Sequence, residues 1–168
     1  MPFVNITGPI LSDTAYVNNE LVAKDLSVSL PEIAAVTADI QAMGTMSLPI
    51  WQMLEDMELS ITKIGVDKGL SKMIKPESLA LELRWAQTDI DANAVTKNVG
   101  CKAFIKAIPK VIPSIELTVG EATENEVTMT VTRYQLFVDG KELWLIDRLA
   151  GIVRIDGVDY SSGVNNLL

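Results

Sequence analysis

The chain has 168 residues, of which 48% are hydrophobic, and its 14 basic and 22 acidic residues give a formal net charge of −8. This size and apolar content are typical of one folded domain with a hydrophobic core, and they argue against a disordered chain. So acidic a chain is a poor candidate for holding nucleic acid. With no histidine and a single cysteine, Cys101, it has no Ser-His-Asp or Cys-His catalytic system and no internal disulfide.

The first third of the chain predicts short strands. Its N-terminus lacks a basic region followed by a long apolar stretch, so we expect no secretory signal. Apolar residues 15–17 and 21–23 flank the turn pair Asn18-Asn19 and indicate a small hairpin. Two further strands are predicted over residues 26–30 and 33–42.

Two of the predicted strands have one polar and one apolar face. Polar residues alternate with apolar ones over residues 33–42, and the polar set is Thr37, Asp39 and Gln41. The same alternation over residues 58–63 gives the polar set Glu58, Ser60 and Thr62. This period of two is typical of strands with one face in water. Between them, Gly44 and Pro49 favour a long open connection, and residues 49–57 also suit a helix.

The rest of the chain predicts one helix and six strands. Apolar residues at helical spacing indicate a helix over residues 66–75, which Pro76 ends. Strands are predicted over residues 79–88, 99–108, 126–138, 142–147, 151–155 and 158–160. Asp139-Gly140 and Asp156-Gly157 lie between alternating runs and predict hairpin turns. The predicted fold is therefore mainly β, an antiparallel sandwich or barrel with a long inner hairpin and one short helix.

No catalytic or metal-binding constellation emerges from the residues. Asp89, Asp91 and Asn93 resemble the first half of a calcium loop, but Ala94 and Gly100 stand where that loop needs glycine and glutamate. The acidic clusters at residues 55–58 and 121–126 fit exposed loops better than a pair of catalytic carboxylates. We expect no enzymatic activity, no cofactor and no metal. Amphipathic hairpins whose edges must be covered indicate instead a subunit that assembles, for example into a ring that closes a barrel.

The C-terminal segment carries a specific pattern. Residues 134–147 read Tyr-Gln-Leu-Phe-Val-Asp-Gly-Lys-Glu-Leu-Trp-Leu-Ile-Asp, residues 155–159 read Ile-Asp-Gly-Val-Asp, and residues 166–168 read Asn-Leu-Leu. This segment resembles the major tail tube protein family of contractile-tailed phages, which has a similar strand, Asp-Gly-Lys-Glu-Leu turn and Asn-Gly-Val-Asp segment.

The N-terminal half extends the resemblance in the same order. Val-Ser-Leu-Pro-Glu-Ile at residues 28–33, Gly-Thr-Met-Ser-Leu-Pro-Ile at 44–50 and Leu-Glu-Asp-Met-Glu-Leu-Ser-Ile at 54–61 are similar to the family's inner hairpin, crossover and returning acidic strand. The resemblance covers roughly residue 21 to the C-terminus. The chain departs from the family at residues 109–113, Pro-Lys-Val-Ile-Pro, where a polar, glycine-bearing loop is more usual. That departure concerns contacts of the outer surface rather than the fold.

The resemblance implies a structural subunit of the inner tube of a contractile tail. Hexameric rings would join their inner hairpins into a continuous barrel and stack into a conduit for DNA or other cargo. Strands 33–42 and 57–63 would form the lumen wall, with Thr37, Asp39, Gln41, Glu58, Ser60 and Thr62 facing the channel. The crossover to the next ring would consist of Met43, Gly44, Thr45, Met46, Ser47, Leu48 and Pro49.

The implied partners are further copies of the chain, the sheath protein, the tape-measure protein and the baseplate or tube-initiator proteins. DNA would pass only as non-specific cargo, without insertion of the subunit into a membrane. Assembly would occur in the bacterial cytoplasm, and the product would be a virion tail or a bacteriocin particle. Two alternatives stay open on sequence alone: the tube of a headless R-type bacteriocin, which passes ions, and a monomeric β-sandwich binding module.

Overall fold

Residues 6–168 are described by the structure, a computed structural model, and they form twelve strands and two short helices. The strands are β1 (Ile6–Val17), β2 (Glu20–Lys24), β3 (Ser27–Ser29), β4 (Ala35–Gln41), β5 (Thr45–Leu54), β6 (Glu58–Ile64), β7 (Leu79–Ile90), β8 (Thr96–Pro109), β9 (Glu124–Val138), β10 (Lys141–Asp147), β11 (Ile152–Ile155) and β12 (Val158–Asp159). The helices are α1 (Lys68–Met73) and α2 (Ser162–Asn165).

Ten of the strands form one antiparallel sheet that forks at β9. Its main path runs β12-β11-β10-β9-β8-β7-β1-β2, and β6 pairs with the first half of β9 and with β3. Strands β4 and β5 pair only with each other, in a separate two-stranded sheet that we call the ribbon. The chain is thus mainly β, as the sequence predicts, but its sheets do not close into a barrel within one copy.

Strict alternation along the strands builds the core. In β6, Leu59 and Ile61 are fully buried while Glu58 is exposed, and β8 and β9 alternate in the same way. The buried sides of β6, β7, β8 and β9 meet in one cluster that also includes Leu70 and Met73 of α1. A period of two places every second side chain on the same face, so the pattern read from the sequence fixes which face is buried.

The predicted turns are present. Asn18, Asn19, Asp139 and Asp156 all have positive φ, and Gly140 and Gly157 complete two of these turns. Asn, Asp and Gly tolerate this backbone conformation, which is why such pairs join antiparallel strands. The three hairpins β1–β2, β9–β10 and β11–β12 follow directly.

Helix α1 lies within the predicted helical segment and closes one side of the core. Asp67 caps it by accepting a hydrogen bond from the Leu70 backbone N–H at 3.1 Å. A Cβ atom on Gly69 would stand 2.4 Å from the Val22 carbonyl oxygen, so only glycine allows α1 to pack so closely on β2. The second helix, α2, is absent from the sequence prediction because its four residues carry no apolar periodicity.

One segment differs from its prediction in secondary structure. Residues 43–49 are expected to be an open connection, whereas the chain turns within Ala42–Gly44 and Thr45–Leu54 form strand β5. The prediction of an open loop is wrong because Pro49 does not interrupt strand β5. A proline is tolerated in a strand whose N–H side is a free edge, and β5 has such an edge beside its one partner β4.

Candidate assembly surfaces

The ribbon is amphipathic across both of its strands. The register pairs Ala38 with Leu48 and Ile40 with Met46 on one face, and Asp39 with Ser47 and Gln41 with Thr45 on the other. The polar face is tied by hydrogen bonds from Ser47 Oγ to Asp39 Oδ1 at 3.1 Å and from Gln41 Nε2 to Thr45 Oγ1 at 3.4 Å. The predicted polar set Thr37, Asp39 and Gln41 therefore lies together, and all three residues are exposed.

The apolar face of the ribbon is uncovered. Ile40, Met46 and Leu48 keep 39%, 43% and 44% of their surface accessible, although each faces away from the polar side. An isolated two-stranded hairpin is at best marginally stable in water, because it buries too little apolar area. A contiguous apolar face of this kind is typical of a surface that a partner covers. The signal was present in the sequence as the alternation Met-Ser-Leu-Pro-Ile at residues 46–50.

Arg148 holds the base of the ribbon to the main sheet. Its guanidinium donates hydrogen bonds to the backbone carbonyls of Glu55 at 2.8 Å and Leu54 at 3.2 Å. Gln52 Nε2 adds a hydrogen bond of 3.4 Å to the Tyr160 carbonyl. The sequence does not predict this anchor, because neither Arg148 nor its partners belong to a recognisable motif. The ribbon is therefore fixed at one end and open at its tip.

The second predicted polar set lies on β6. Glu58 is exposed, Ser60 and Thr62 are half-buried, and all three point away from the core. Glu58 accepts a hydrogen bond from Lys110 Nζ at 2.8 Å, and Ser60 Oγ donates to Glu126 Oε1 at 2.5 Å. This polar face continues on β9, where Thr130, Thr128 and Glu126 lie opposite the three residues.

The two polar sets do not share a sheet within one copy. The set on β4 belongs to the ribbon, whereas the set on β6 belongs to the ten-stranded sheet, and β4 and β6 do not pair. A single hairpin spanning residues 33–63 is thus replaced by the ribbon followed by a strand of the main sheet. Whether both sets face one channel depends on how copies assemble.

Two buried ionisable side chains, Cys101 and Tyr134, contribute to packing rather than to chemistry. Burial, with the nearby carboxylates of Asp89 and Asp139, raises the pKa of the Cys101 thiol, which lowers the fraction present as reactive thiolate. Burial also raises the pKa of Tyr134 to about 12.

Asp91 Oδ1, from the calcium-like segment, accepts hydrogen bonds from the backbone N–H groups of Asn93 and Val95 and so caps a turn. Residues 6–168 contain no cluster of three or more acidic or cysteine side chains arranged to hold a metal ion.

The described residues include no helix that is long and apolar enough to cross a membrane.

Comparisons with known proteins agree on one family. The family model described as phage tail tube protein FII matches residues 10–168. The tail tube protein of Escherichia phage P2 is 28% identical over 145 residues, which is 79% of this chain and 80% of that protein.

Two solved structures of low sequence identity have a similar fold. A chain of the cryo-EM structure of an extracellular contractile injection system, the PVC sheath-tube complex in its extended state, aligns with a TM-score of 0.55 at 17% identity and covers 77% of this chain and 90% of that one. A chain of the PVC sheath/tube terminator structure, also in the extended state, aligns with a TM-score of 0.50 at 18% identity and covers 77% and 95% of the two chains.

Proposed function

Because the chain belongs to the phage tail tube protein FII family, we propose that its copies close into hexameric rings and that these rings stack into the hollow inner tube of a contractile tail. The observation that carries the proposal is a family match that spans nearly the whole chain, residues 10–168. The uncovered apolar face of the ribbon supports it, since stacking against other copies would remove that face from water.

The channel wall is formed by the two polar sets. In the ring, the polar face of the ribbon and the polar face of β6 point towards the central axis. Together they present Thr37, Asp39, Gln41, Glu58, Ser60 and Thr62 to the channel. A conduit for DNA has to let the phosphate backbone slide, and a wall of carboxylates and hydroxyls repels or only weakly contacts phosphate. Cargo therefore passes without being held.

The tip of the ribbon contacts the adjacent ring. Met43 is fully exposed and Gly44 adopts a φ of +118°, so the turn projects beyond the rest of the ribbon. The stacking segment consists of Met43, Gly44, Thr45, Met46, Ser47, Leu48 and Pro49. Its apolar side chains, Met46 and Leu48, supply the buried area that the contact needs.

The outer surface of the tube faces a sheath, and its ends contact a tape-measure protein and baseplate or initiator proteins. The sheath is supported by the PVC sheath-tube complex, one chain of which has a similar fold. The assembled particle is a virion tail or a related contractile particle that is put together in the bacterial cytoplasm. The subunit has a structural role and catalyses no reaction.

Electron microscopy of the purified protein tests the tube directly. At high protein concentration we expect stacked rings with a continuous central channel in negative stain. A protein that stays a monomer by size-exclusion chromatography and gives no rings at any concentration would refute the proposal.

Cysteine labelling tests the wall. In assembled tubes of the Asp39→Cys variant, with Cys101→Ser to remove the native thiol, a small maleimide should react and a maleimide on a polymer too bulky for the channel should not. Glu77→Cys in the same background is the matched control, since Glu77 is exposed on the loop between α1 and β7, outside both predicted wall strands. Equal reaction of position 39 with both reagents in intact tubes would place Asp39 on the outside.

A further inference from the structure

Strands β7, β8 and β9 carry a cationic surface that is unusual in so acidic a chain. We call it the basic face and define it by Arg84, Lys102, Phe104, Lys106 and Arg133. The register places Lys102 directly opposite Arg84 and Lys106 directly opposite Arg133. Like charges on directly opposed residues destabilise a sheet, and β8 carries two such pairs, at Lys102 and Lys106.

Two of the four cations of this face, both lysines, are not neutralised by the described chain. Among the described residues, Lys102 and Lys106 form no ion pair within 4.0 Å, and both are exposed. The two arginines do have carboxylates within that limit, since Arg84 pairs with Glu82 at 2.6 Å and Arg133 Nε lies 3.9 Å from Asp147. Arg133 Nε nevertheless has no hydrogen-bond acceptor. The face thus retains positive charge that an anionic partner would stabilise.

An aromatic pair lies at the centre of the basic face. Phe104 is 37% exposed between Lys102 and Lys106, and its ring meets that of Phe137 edge-on at 5.7 Å. Exposed aromatic side chains flanked by cations are typical of a surface that receives an apolar and acidic segment.

The connection between β8 and β9 contains such a segment. We call residues 115–121, Ile-Glu-Leu-Thr-Val-Gly-Glu, the acidic tip. Leu117 and Val119 are 83% and 104% exposed, so the apolar side chains of the tip face water. Glu116 and Glu121 flank them, and neither forms an ion pair with a described residue. A turn closed by a hydrogen bond from Glu121 N–H to the Thr118 carbonyl at 3.1 Å fixes the shape of the tip.

From this complementarity we infer that the acidic tip of one copy docks on the basic face of the next copy in the ring. The inference rests on the proposed tube. Glu116 and Glu121 meet the cations, while Leu117 and Val119 cover Phe104. The two surfaces are different parts of one chain, so the contact is heterologous, which is the type of contact that closes a ring when the rotation between copies closes.

The contact also keeps cations out of the channel. The sheet face that presents Glu58 on β6 continues through Thr130 of β9 to Ile108 of β8, and Lys106 and Lys102 follow on the same face. Covering this end with the neighbour's tip leaves the carboxylates and hydroxyls of β6 as the exposed wall.

Charge reversal tests the contact. The face variant, Lys102→Glu/Lys106→Glu, and the tip variant, Glu116→Lys/Glu121→Lys, should each raise the concentration needed for tube formation by at least about tenfold. The matched control for the face variant is Lys24→Glu/Lys68→Glu, which makes the same change in net charge at exposed lysines away from both surfaces. It should assemble like the wild type.

Mixing the two reversed variants gives the decisive result. In an alternating ring the negative face of one variant receives the positive tip of the other, and the reverse contact is also attractive. An equimolar mixture, and a chain that carries all four changes, should assemble at close to the wild-type concentration. Reversed variants that assemble normally, or a mixture as defective as its components, would overturn the contact.

Stability measurements separate loss of the contact from loss of the fold. The neutral variant Lys102→Gln/Lys106→Gln removes the like-charge repulsion, so its melting temperature should equal or exceed that of the wild type while its assembly weakens. A lower melting temperature with unimpaired assembly would overturn the inference. A wild-type protein that forms no tubes would refute the proposed function instead, whereas normal tubes from the reversed variants would refute this contact alone.

Discussion

The main sheet and the ribbon use the same alternation of apolar and polar residues but differ in what covers the apolar face. In β6, Leu59 and Ile61 are completely buried by the chain's own strands and by α1. In the ribbon, Ile40, Met46 and Leu48 are on average about two-fifths exposed, and no described segment covers them. The main sheet therefore stabilises the subunit, whereas we propose that the apolar face of the ribbon is covered only on assembly.

Removing the tip of the ribbon should have the largest effect on assembly. Deletion of residues 44–48 removes Met46 and Leu48 but no residue of the buried core. We expect a folded subunit, with a melting temperature within a few degrees of the wild type, that forms no tubes in negative stain. Long tubes from the deletion variant would show that the ribbon tip is not the stacking segment.

A matched pair of leucine substitutions should separate the two regions by stability. Leu59→Ala opens a cavity in the core and should cost about 3 kcal/mol of the free energy of unfolding. Leu48→Ala acts on an exposed strand and should change that free energy by less than about 0.5 kcal/mol, while it weakens assembly. Urea unfolding of the unassembled subunit measures both values. Equal destabilisation by the two variants would contradict the comparison.

Gly69 should reveal how tightly α1 closes the core. The added Cβ of Gly69→Ala meets the Val22 carbonyl oxygen, which is backbone and cannot rotate away, so α1 has to shift. We expect a loss of about 1–3 kcal/mol, comparable to overpacking, by the same unfolding measurement. The control Gly163→Ala meets no atom within 4 Å and should be nearly neutral.

The smallest expected effect is the pH dependence of the Glu142–Arg154 pair. Hydrogen bonds from Arg154, at 2.7 and 3.1 Å, hold the pKa of Glu142 below its usual value. A carboxyl whose folded pKa is lowered stabilises the fold above its unfolded pKa, and this contribution disappears as the pH falls through the folded pKa. Glu142→Gln should therefore melt slightly below the wild type at pH 7, and the difference should shrink as the pH falls below about 4.3, the usual pKa of a glutamate. A difference that is constant across this range would exclude the pair as its source.

The sequence predicted most of the main sheet because its signals are local. The turn pairs Asn18-Asn19 and Asp139-Gly140 need positive φ, and the alternation in β9 defines its buried face without knowledge of its neighbours. The fork at β9, the separation of the ribbon from β6 and the anchor at Arg148 were not predictable in this way. They depend on which strands meet across long separations in the chain, and single-sequence periodicity carries no such information.

The predicted functional residues show the same contrast between local and long-range information. The polar character of Thr37, Asp39, Gln41, Glu58, Ser60 and Thr62 was readable from alternation, and the structure keeps these side chains out of the core. Their orientation towards a channel is a property of the assembled ring, so it stays a prediction. The basic face was invisible in the sequence because Arg84 becomes a neighbour of Lys102, and Arg133 a neighbour of Lys106, only through strand pairing.

Amide hydrogen exchange of the wild-type protein, before and after assembly, tests the central claim most directly. In the unassembled subunit the amides of β4 and β5 should exchange rapidly, whereas those of β9 are already protected by two neighbouring strands. Assembly should slow exchange in the ribbon by at least about a hundredfold and leave the centre of β9 nearly unchanged. A ribbon that is equally protected in both states, or one that stays unprotected in tubes, would contradict the claim that assembly completes it.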